Sequence, residues 1–427
     1  MRSSGSRARR VLAAIAPAAA ALAAGIALSA LSAAASPCAA AAPGAGADVR
    51  YRVYVSNEYG ADITVIDPRT RSAIGTVHIG GRAGEVRPRG MRVSPDGRTV
   101  YVAVSDFDPK LERPQDRIVA IDVASNRIVA DFWVGSNPER LAISRDGRQL
   151  WAANENAAQA TGYDLATGEL IGSFRTGIEP EGVAIHPDGS VVYVTGETSH
   201  SVSVIDARQR RTLRHFLVGN RPRDVAFSAD GQRAYVSAEI GGTVSVVDVA
   251  QHKVIATIPL GLDSRLVEVA LSPDGERLYV AGGGTNAIYV IDTRTLSLIR
   301  TVRERMGRRP WGVTVSPDGR TIYTADGLSD SVSIIDAQRL EVVGSIRAGR
   351  GPHSVVVGIV GQDPRAGGAA SLVPADDAAG PSTAQRAPAV PARERPFDAH
   401  PHALQHAHAL EMIGARLRAL AALAPRH

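Results

Sequence analysis

Pro187-Asp188-Gly189-Ser190-Val191-Val192-Tyr193-Val194-Thr195, closing after a turn on Ser201-Val202-Ser203-Val204-Ile205-Asp206, is the stretch from which the rest of the chain can be read. An Asp-Gly turn leads into a short β-rich run carrying an aromatic residue. A second run then ends on Ile-Asp, thirteen residues after the aromatic. The aromatic recurs seven times, as Tyr54, Tyr101, Trp151, Tyr193, Tyr235, Tyr279 and Tyr323, and its closing aspartates are Asp67, Asp122, Asp164, Asp206, Asp248, Asp292 and Asp336. Six of the seven units keep the spacing of thirteen, and Asp-Gly stands five residues before the aromatic from Asp96 onward. The period is 42 to 44 residues wherever the chain is regular, and a period of that size sets the architecture before any single residue does.

Within one unit, four strand-length segments are separated by Gly, Asp, Asn or Pro turns: Gly182 to His186, Val191 to Thr195, Ser201 to Asp206 and Thr212 to Val218. Four short strands per repeat describe a β-propeller blade. The first unit lacks its innermost strand, because nothing strand-like precedes Tyr51. The missing piece stands at the other end, where Gly351-Pro352-His353-Ser354-Val355-Val356-Val357 copies Glu179-Pro180-Glu181-Gly182-Val183-Ala184-Ile185 with no second strand after it. The expectation is an all-β, seven-bladed propeller over 51–358, its last strand joining the first blade so that no sheet edge is left open at the seam.

The chain of 427 residues is 44% hydrophobic, 4% aromatic and formally +5. Four of its arginines, Arg2, Arg7, Arg9 and Arg10, lie in an Arg-rich start, so the remainder is nearly neutral and no nucleic-acid partner is expected. That start and the Ala/Leu-rich run Val11 to Ala35 read as a secretory leader over 1–45, cut between about Ala35 and Arg50, or else kept as an uncleaved anchor. Arg9-Arg10 would suit twin-arginine export. The expected location is periplasmic or secreted. Cys38 is the only cysteine and follows Pro37, a poor lipoprotein context; no internal disulfide, haem attachment or cysteine zinc site can be built.

After the propeller, an Ala/Pro-rich linker is expected over 359–400 and a disordered or helical tail over 401–427, with Leu404, Leu410, Ile413, Leu417, Leu420 and Leu423 at helical spacing. The leader and this helix are the only expected routes to a membrane. His400, His402, His406 and His408 read as a solvated tract rather than a metal site, since no carboxylate or cysteine completes a ligand set.

Candidate functional residues come from the length variation, which is confined to loops on one face of the disc. Nine residues before each Asp-Gly stand Arg87, Asn137, Glu179, Arg221, Arg265 and Arg309, and seven before stand Arg89, Glu139, Glu181, Arg223, Val267 and Trp311, with His353 in the closing blade. A proline between most of these pairs is expected to impose an extended approach to the innermost strand. Glu58, Glu155, Glu197 and Glu239 follow the aromatic by four residues on the neighbouring loop. Gathered round the channel mouth, these groups would either bind an anionic ligand through arginine or pair with one another and pin the blades together. The Asp-Gly turns and closing aspartates read as turn chemistry, the aromatics as packing between blades, and Asp106, Asp108, Glu112 and Asp116 as a solvated loop rather than a calcium site. No catalytic motif is present.

Tyr54-Val55-Ser56-Asn57, Tyr193-Val194-Thr195 and Tyr235-Val236-Ser237, each closing on Ile-Asp or Val-Asp, resemble the YVTN-type β-propeller repeat family. Arg87-Pro88-Arg89-Gly90, Asn154-Glu155, Glu179-Pro180-Glu181-Gly182, Arg221-Pro222-Arg223 and Ala238-Glu239-Ile240-Gly241-Gly242 look like its subgroup associated with pyrroloquinoline-quinone-dependent alcohol catabolism; Asp263-Ser264-Arg265-Leu266 departs from that pattern by lacking the proline. The resemblance implies an exported protein acting beside a quinone-dependent dehydrogenase. It implies no catalysis and no cofactor of the protein's own, the quinone entering by association alone.

The expected function is therefore a non-catalytic propeller that binds a small anionic molecule, or a periplasmic partner protein such as a dehydrogenase, at the Arg/Glu face. One alternative is an enzyme of the propeller lactonase or lyase type using Glu181, Glu197, Glu239 and His353. The other is a cell-surface or envelope interaction module.

Overall fold

A computed structural model describes residues 49–108 and 116–362. Among them, twenty-eight strands numbered in chain order form seven four-stranded antiparallel sheets, the blades of a propeller. The expected leader, most of the linker and the C-terminal helix lie outside the described residues, as does Glu112.

Blade 1 shows how the ring closes. Its order is β28 (Pro352–Gln362), β1 (Val49–Asn57), β2 (Asp62–Asp67) and β3 (Ser72–His78), so the last strand is the innermost strand of the first blade. The β1–β28 register runs from Val49 opposite Gln362 to Asn57 opposite Pro352. The seam is longer than the repeat alone suggested, because β28 continues through Ile359 to Gln362 and finds a partner in Val49 to Tyr51.

The middle strands are buried on both sides because each blade packs on its neighbours. Val53, Val55, Ile63 and Val65 are fully enclosed. Tyr54 crosses from blade 1 to blade 2, its hydroxyl donating to the Asn126 side chain at 2.8 Å. Each outermost strand carries a bulge at an equivalent place, for example opposite Val65/Ile66 and Val204/Ile205 of the third strand, which adds twist to the exposed edge.

The aspartates do the turn work their chemistry suggests. Ser228 Oγ donates to Asp230 at 2.6 Å, and the same carboxylate accepts the Gln232 amide at 3.0 Å. Asp206 accepts the amides of Arg208 and Gln209 at 2.9 and 2.7 Å. Both kinds of turn lie on the face opposite the length-variable loops. In the acidic insert, Asp116 accepts the Asp106 and Asn137 amides at 2.9 and 2.8 Å and so ties the insert to the next blade.

The expected extended approach to the innermost strands is not what forms. The residue before the strand is left-handed in five blades, with φ of 54° at Asn137, 56° at Glu179, 58° at Arg221, 48° at Arg265 and 53° at Arg309. Proline is not the cause, because Arg265 precedes Leu266. The left-handed turn aims the residue's carbonyl at the neighbouring loop, where it accepts the amide four residues past the aromatic: Asn137 from Glu155, Glu179 from Glu197, Arg221 from Glu239. A non-glycine residue pays about 1–2 kcal/mol for this conformation. The closing blade avoids that with Gly351 at φ 66°, whose carbonyl accepts the Glu58 amide at 2.8 Å.

Candidate functional site

Seven innermost strands converge on the axis, and what they bring together depends on the blade. Blade 2 contributes β4 (Val86–Val93), blade 3 β8 (Pro138–Ile143), blade 4 β12 (Pro180–Ile185) and blade 5 β16 (Pro222–Phe227). Their side chains, with carboxylates from the adjacent loops, form a ring of buried ionic contacts that join blades 1, 2 and 3 and, separately, blades 4 and 5. Arg87 contacts Glu58 and Glu139 at 3.5 Å each, and Arg89 contacts Glu58 at 2.6 Å and also pairs with Glu139. Arg221 joins Glu197 and Glu239 at 2.7 and 2.9 Å, while Arg223 joins Glu181 at 3.0 Å and pairs with Glu197. In blades 1 to 5, therefore, each of the four mouth arginines is matched by glutamate.

Two carboxyls of this ring are driven apart. Burial opposes ionisation of Glu139, but Arg89 and then Arg87 override it and hold the group at about 2. Burial, reinforced by the charges of Glu139 and Glu181, pushes the hydrogen-bonded neighbour Glu155 well above the usual carboxylate range. The two neighbouring carboxyls are thus shifted in opposite directions, and Asn137 donates to Glu155 at 2.6 Å. Glu179 sits apart from the ring pairs, accepting a hydrogen bond from Thr198.

Blades 6 and 7 break the pattern. Their innermost strands are β20 (Leu266–Leu271) and β24 (Pro310–Val315), and the positions held elsewhere by Arg or Glu become Val267 and Trp311, followed by His353 in blade 1. The loop carboxylates disappear as well: Gly283 and Gly327 stand where Glu197 and Glu239 do. The arginines remain. Arg309 lies over the Trp311 ring at 4.3 Å, with only Glu239 beside it at 3.7 Å, and Arg223 approaches the same ring at 5.6 Å. His353 is stacked on Trp311 with centroids 5.6 Å apart. Burial is the main cause of Arg309's lowered proton affinity; Glu239 opposes it, and Arg223 and Arg265 add to it. Arg265 is exposed at the rim.

A second charged layer, deeper in the channel, was not anticipated. Arg140 is wholly buried and lies 3.1 Å from Glu268, with Asp224 and Glu181 each at 3.9 Å, and Arg92 reaches Glu268 at 3.0 Å and Asp224 at 3.6 Å. These contacts run between blades 2 to 6 and bridge the channel below the mouth. The corresponding positions in blades 2 and 4 are Gly90 and Gly182, where a Cβ would come within 2.9 Å of the Arg140 Cα and 2.7 Å of the Asp224 Cα. This position is not constant from blade to blade, being Gly90, Arg140, Gly182, Asp224, Glu268 and Gly312 in blades 2 to 7 and Ser354 in blade 1. The available signal was different in kind: Glu268 is an isolated charge inside an otherwise apolar strand, and Arg140 and Asp224 each put a second charge directly after a ring residue.

Against known sequences, a model of the family described as "Lactonase, 7-bladed beta-propeller" matches residues 210–343, under a third of the chain. No curated protein matches significantly. Among solved structures, the Pseudomonas aeruginosa periplasmic gluconolactonase is 22% identical with a TM-score of 0.57, covering 73% of this chain and 99% of its own. A protein titled putative 6-phosphogluconolactonase from Bacteroides fragilis is 19% identical with a TM-score of 0.58, covering 73% and 98%. Kuenenia stuttgartiensis hydrazine synthase is 20% identical with a TM-score of 0.55, covering 62% and 88%. These likenesses establish the seven-bladed propeller fold and a stretch similar to propeller lactonases.

Proposed function

We propose that the protein is an exported propeller that binds a small carboxylate-bearing molecule, without chemical turnover, at the mouth sector of blades 6, 7 and 1. One observation carries the reading: the ring's charge pairing thins there, leaving Arg309 over Trp311, with His353 stacked on the same indole, where other blades supply glutamates. Arg309 offers a planar fork for a carboxylate, held in place by Trp311 beneath it, and the indole supplies an apolar wall for the body of the ligand. An anion beside Arg309 would relieve the repulsion from Arg223 and Arg265 that now weakens its charge. The likeness of the repeat to propellers of quinone-dependent alcohol catabolism fits a periplasmic role beside a dehydrogenase. Sugar acids, dicarboxylates and small acidic quinones are then the ligands to test.

Thermal unfolding against such a panel tests this. Selective ligands should raise the midpoint in proportion to occupancy, by about 2.7 kcal/mol of stabilisation at a hundredfold excess over Kd. Arg309→Ala should abolish the shift. No response to any anion, or an undiminished response in the variant, contradicts the reading.

A lactonase or lyase reading is favoured by the family match over residues 210–343 and by the carboxyl pair Glu139 and Glu155, whose proton affinities are pushed in opposite directions. That pair would serve as base and acid on a lactone. Lactone turnover by the wild type that disappears in a folded Glu155→Gln variant would replace the binding reading with this one.

A further inference from the structure

The same side of the disc carries a second feature that the mouth does not use. The loop from blade 6 into blade 7 reads Arg303-Glu304-Arg305-Met306-Gly307-Arg308-Arg309, and the next reads Arg347-Ala348-Gly349-Arg350. Arg303, Arg305, Arg308, Arg347 and Arg350 are all exposed, as is Arg265 on the adjoining loop. None of these six forms a salt bridge among the described residues. The nearby acids are few: Glu304, Asp263 and Asp330, the last already accepting the Gly351 amide at 2.8 Å.

The loop is built rather than loose. The Gly307 amide donates to Ser333 Oγ at 3.0 Å, the Arg308 amide to Ser329 Oγ at 2.6 Å and the Arg309 amide to Asn286 Oδ1 at 2.8 Å, and Met306 packs on the blade 6 and 7 core. The Arg350 carbonyl accepts the Tyr59 amide at 3.1 Å. Guanidinium groups therefore project from fixed backbone positions, beside the exposed side chains of Leu328 and Leu262, which are 38% and 71% accessible.

We propose that this crescent is the docking surface for an acidic segment of a partner protein, laid across blades 6, 7 and 1 beside the channel mouth. Charge complementarity selects the occupant. Six unmatched arginines in one sector, on a chain almost neutral outside its leader, form a local field and not a general basicity. Arginine with flanking leucine is the composition of protein interfaces, where guanidinium forks meet carboxylates and aliphatic groups fill the space between. Fixed spacing suits a partner that presents its own carboxylates in order. The proposal is separable from the small ligand, because the arginines reversed in its test, Arg305, Arg308 and Arg350, lie outside the Arg309 and Trp311 contact.

Poly-L-glutamate is the probe, with phosphatidylglycerol vesicles as the competing polyanion, each titrated against the full chain. The triple variant Arg305→Glu/Arg308→Glu/Arg350→Glu should weaken polyglutamate binding by about tenfold or more and flatten its salt dependence. The control, Arg98→Glu/Arg148→Glu/Arg294→Glu on the opposite face, should leave it unchanged. Absent binding, equal losses in both variants, or vesicle binding that alone responds to the triple reversal would each overturn the proposal. The thermal response to small carboxylates should survive in the triple variant, so failure of one reading is separable from failure of the other.

Discussion

Arg89 shows what a single residue contributes to this ring. It is buried, reaches Glu58 from blade 1 and Glu139 from blade 3, and is held charged by both. A buried pair of this kind adds little relative to a well-packed apolar replacement, but removing one partner strands the other. Arg89→Met should therefore cost about 3–5 kcal/mol in chemical denaturation, because Glu58 and Glu139 lose the nearer of the two cations they share and keep only Arg87 at 3.5 Å. A loss below about 1 kcal/mol would mean that the ring is solvated and not structural. At this scale the sequence was half legible. The repeat marked Arg87, Arg89, Arg221, Arg223 and their glutamates because they recur at fixed offsets. It could not say that these groups consume one another, since pairing depends on which blade faces which, nor could it show Arg140, Asp224 and Glu268, whose offset is occupied elsewhere by glycine.

At the scale of the element, blade 7 holds a carboxyl that its strands do not neutralise. Asp326 ends the second strand of that blade and accepts hydrogen bonds from Thr324 and Ser333 at 2.7 Å each, yet burial raises its pKa to about 6. A folded value above the unfolded one means that its contribution is fully present below about 4 and is lost as pH rises through about 6. The shift amounts to about 3 kcal/mol between those limits. Asp326→Asn should remove that component of the pH dependence, measured by urea unfolding at pH 4 and pH 7; an unchanged profile would assign it to another group. The strands were legible to within a residue or two because turn chemistry brackets them. The left-handed residue before six of the seven innermost strands was not, since a proline in sequence argues for extended backbone and only the paired loop reveals which carbonyl must turn.

For the molecule as a whole, closure was the most secure reading, because a strand missing at one end and spare at the other admits one economical solution. Deleting 351–362 would leave β1 as an unpaired edge facing the channel, and aggregation should follow, seen in light scattering during refolding. A soluble truncation with unchanged melting would contradict the seam between Val49 and Gln362. The leader, the location and the C-terminal helix rest on sequence alone, because they fall outside the ring. Function rests on asymmetry within that ring, and repeats conceal asymmetry: the informative positions are those where the pattern lapses, at Val267, Gly283, Trp311 and Gly327.

Where an anion settles on the protein decides the matter most directly. Diffraction from crystals soaked in a brominated dicarboxylate would locate it by anomalous scattering. The account predicts bromine density against Trp311 with carboxylate oxygens in hydrogen-bond reach of Arg309; density only among the paired arginines of blades 2 to 5, or only on the outer circumference, would contradict it.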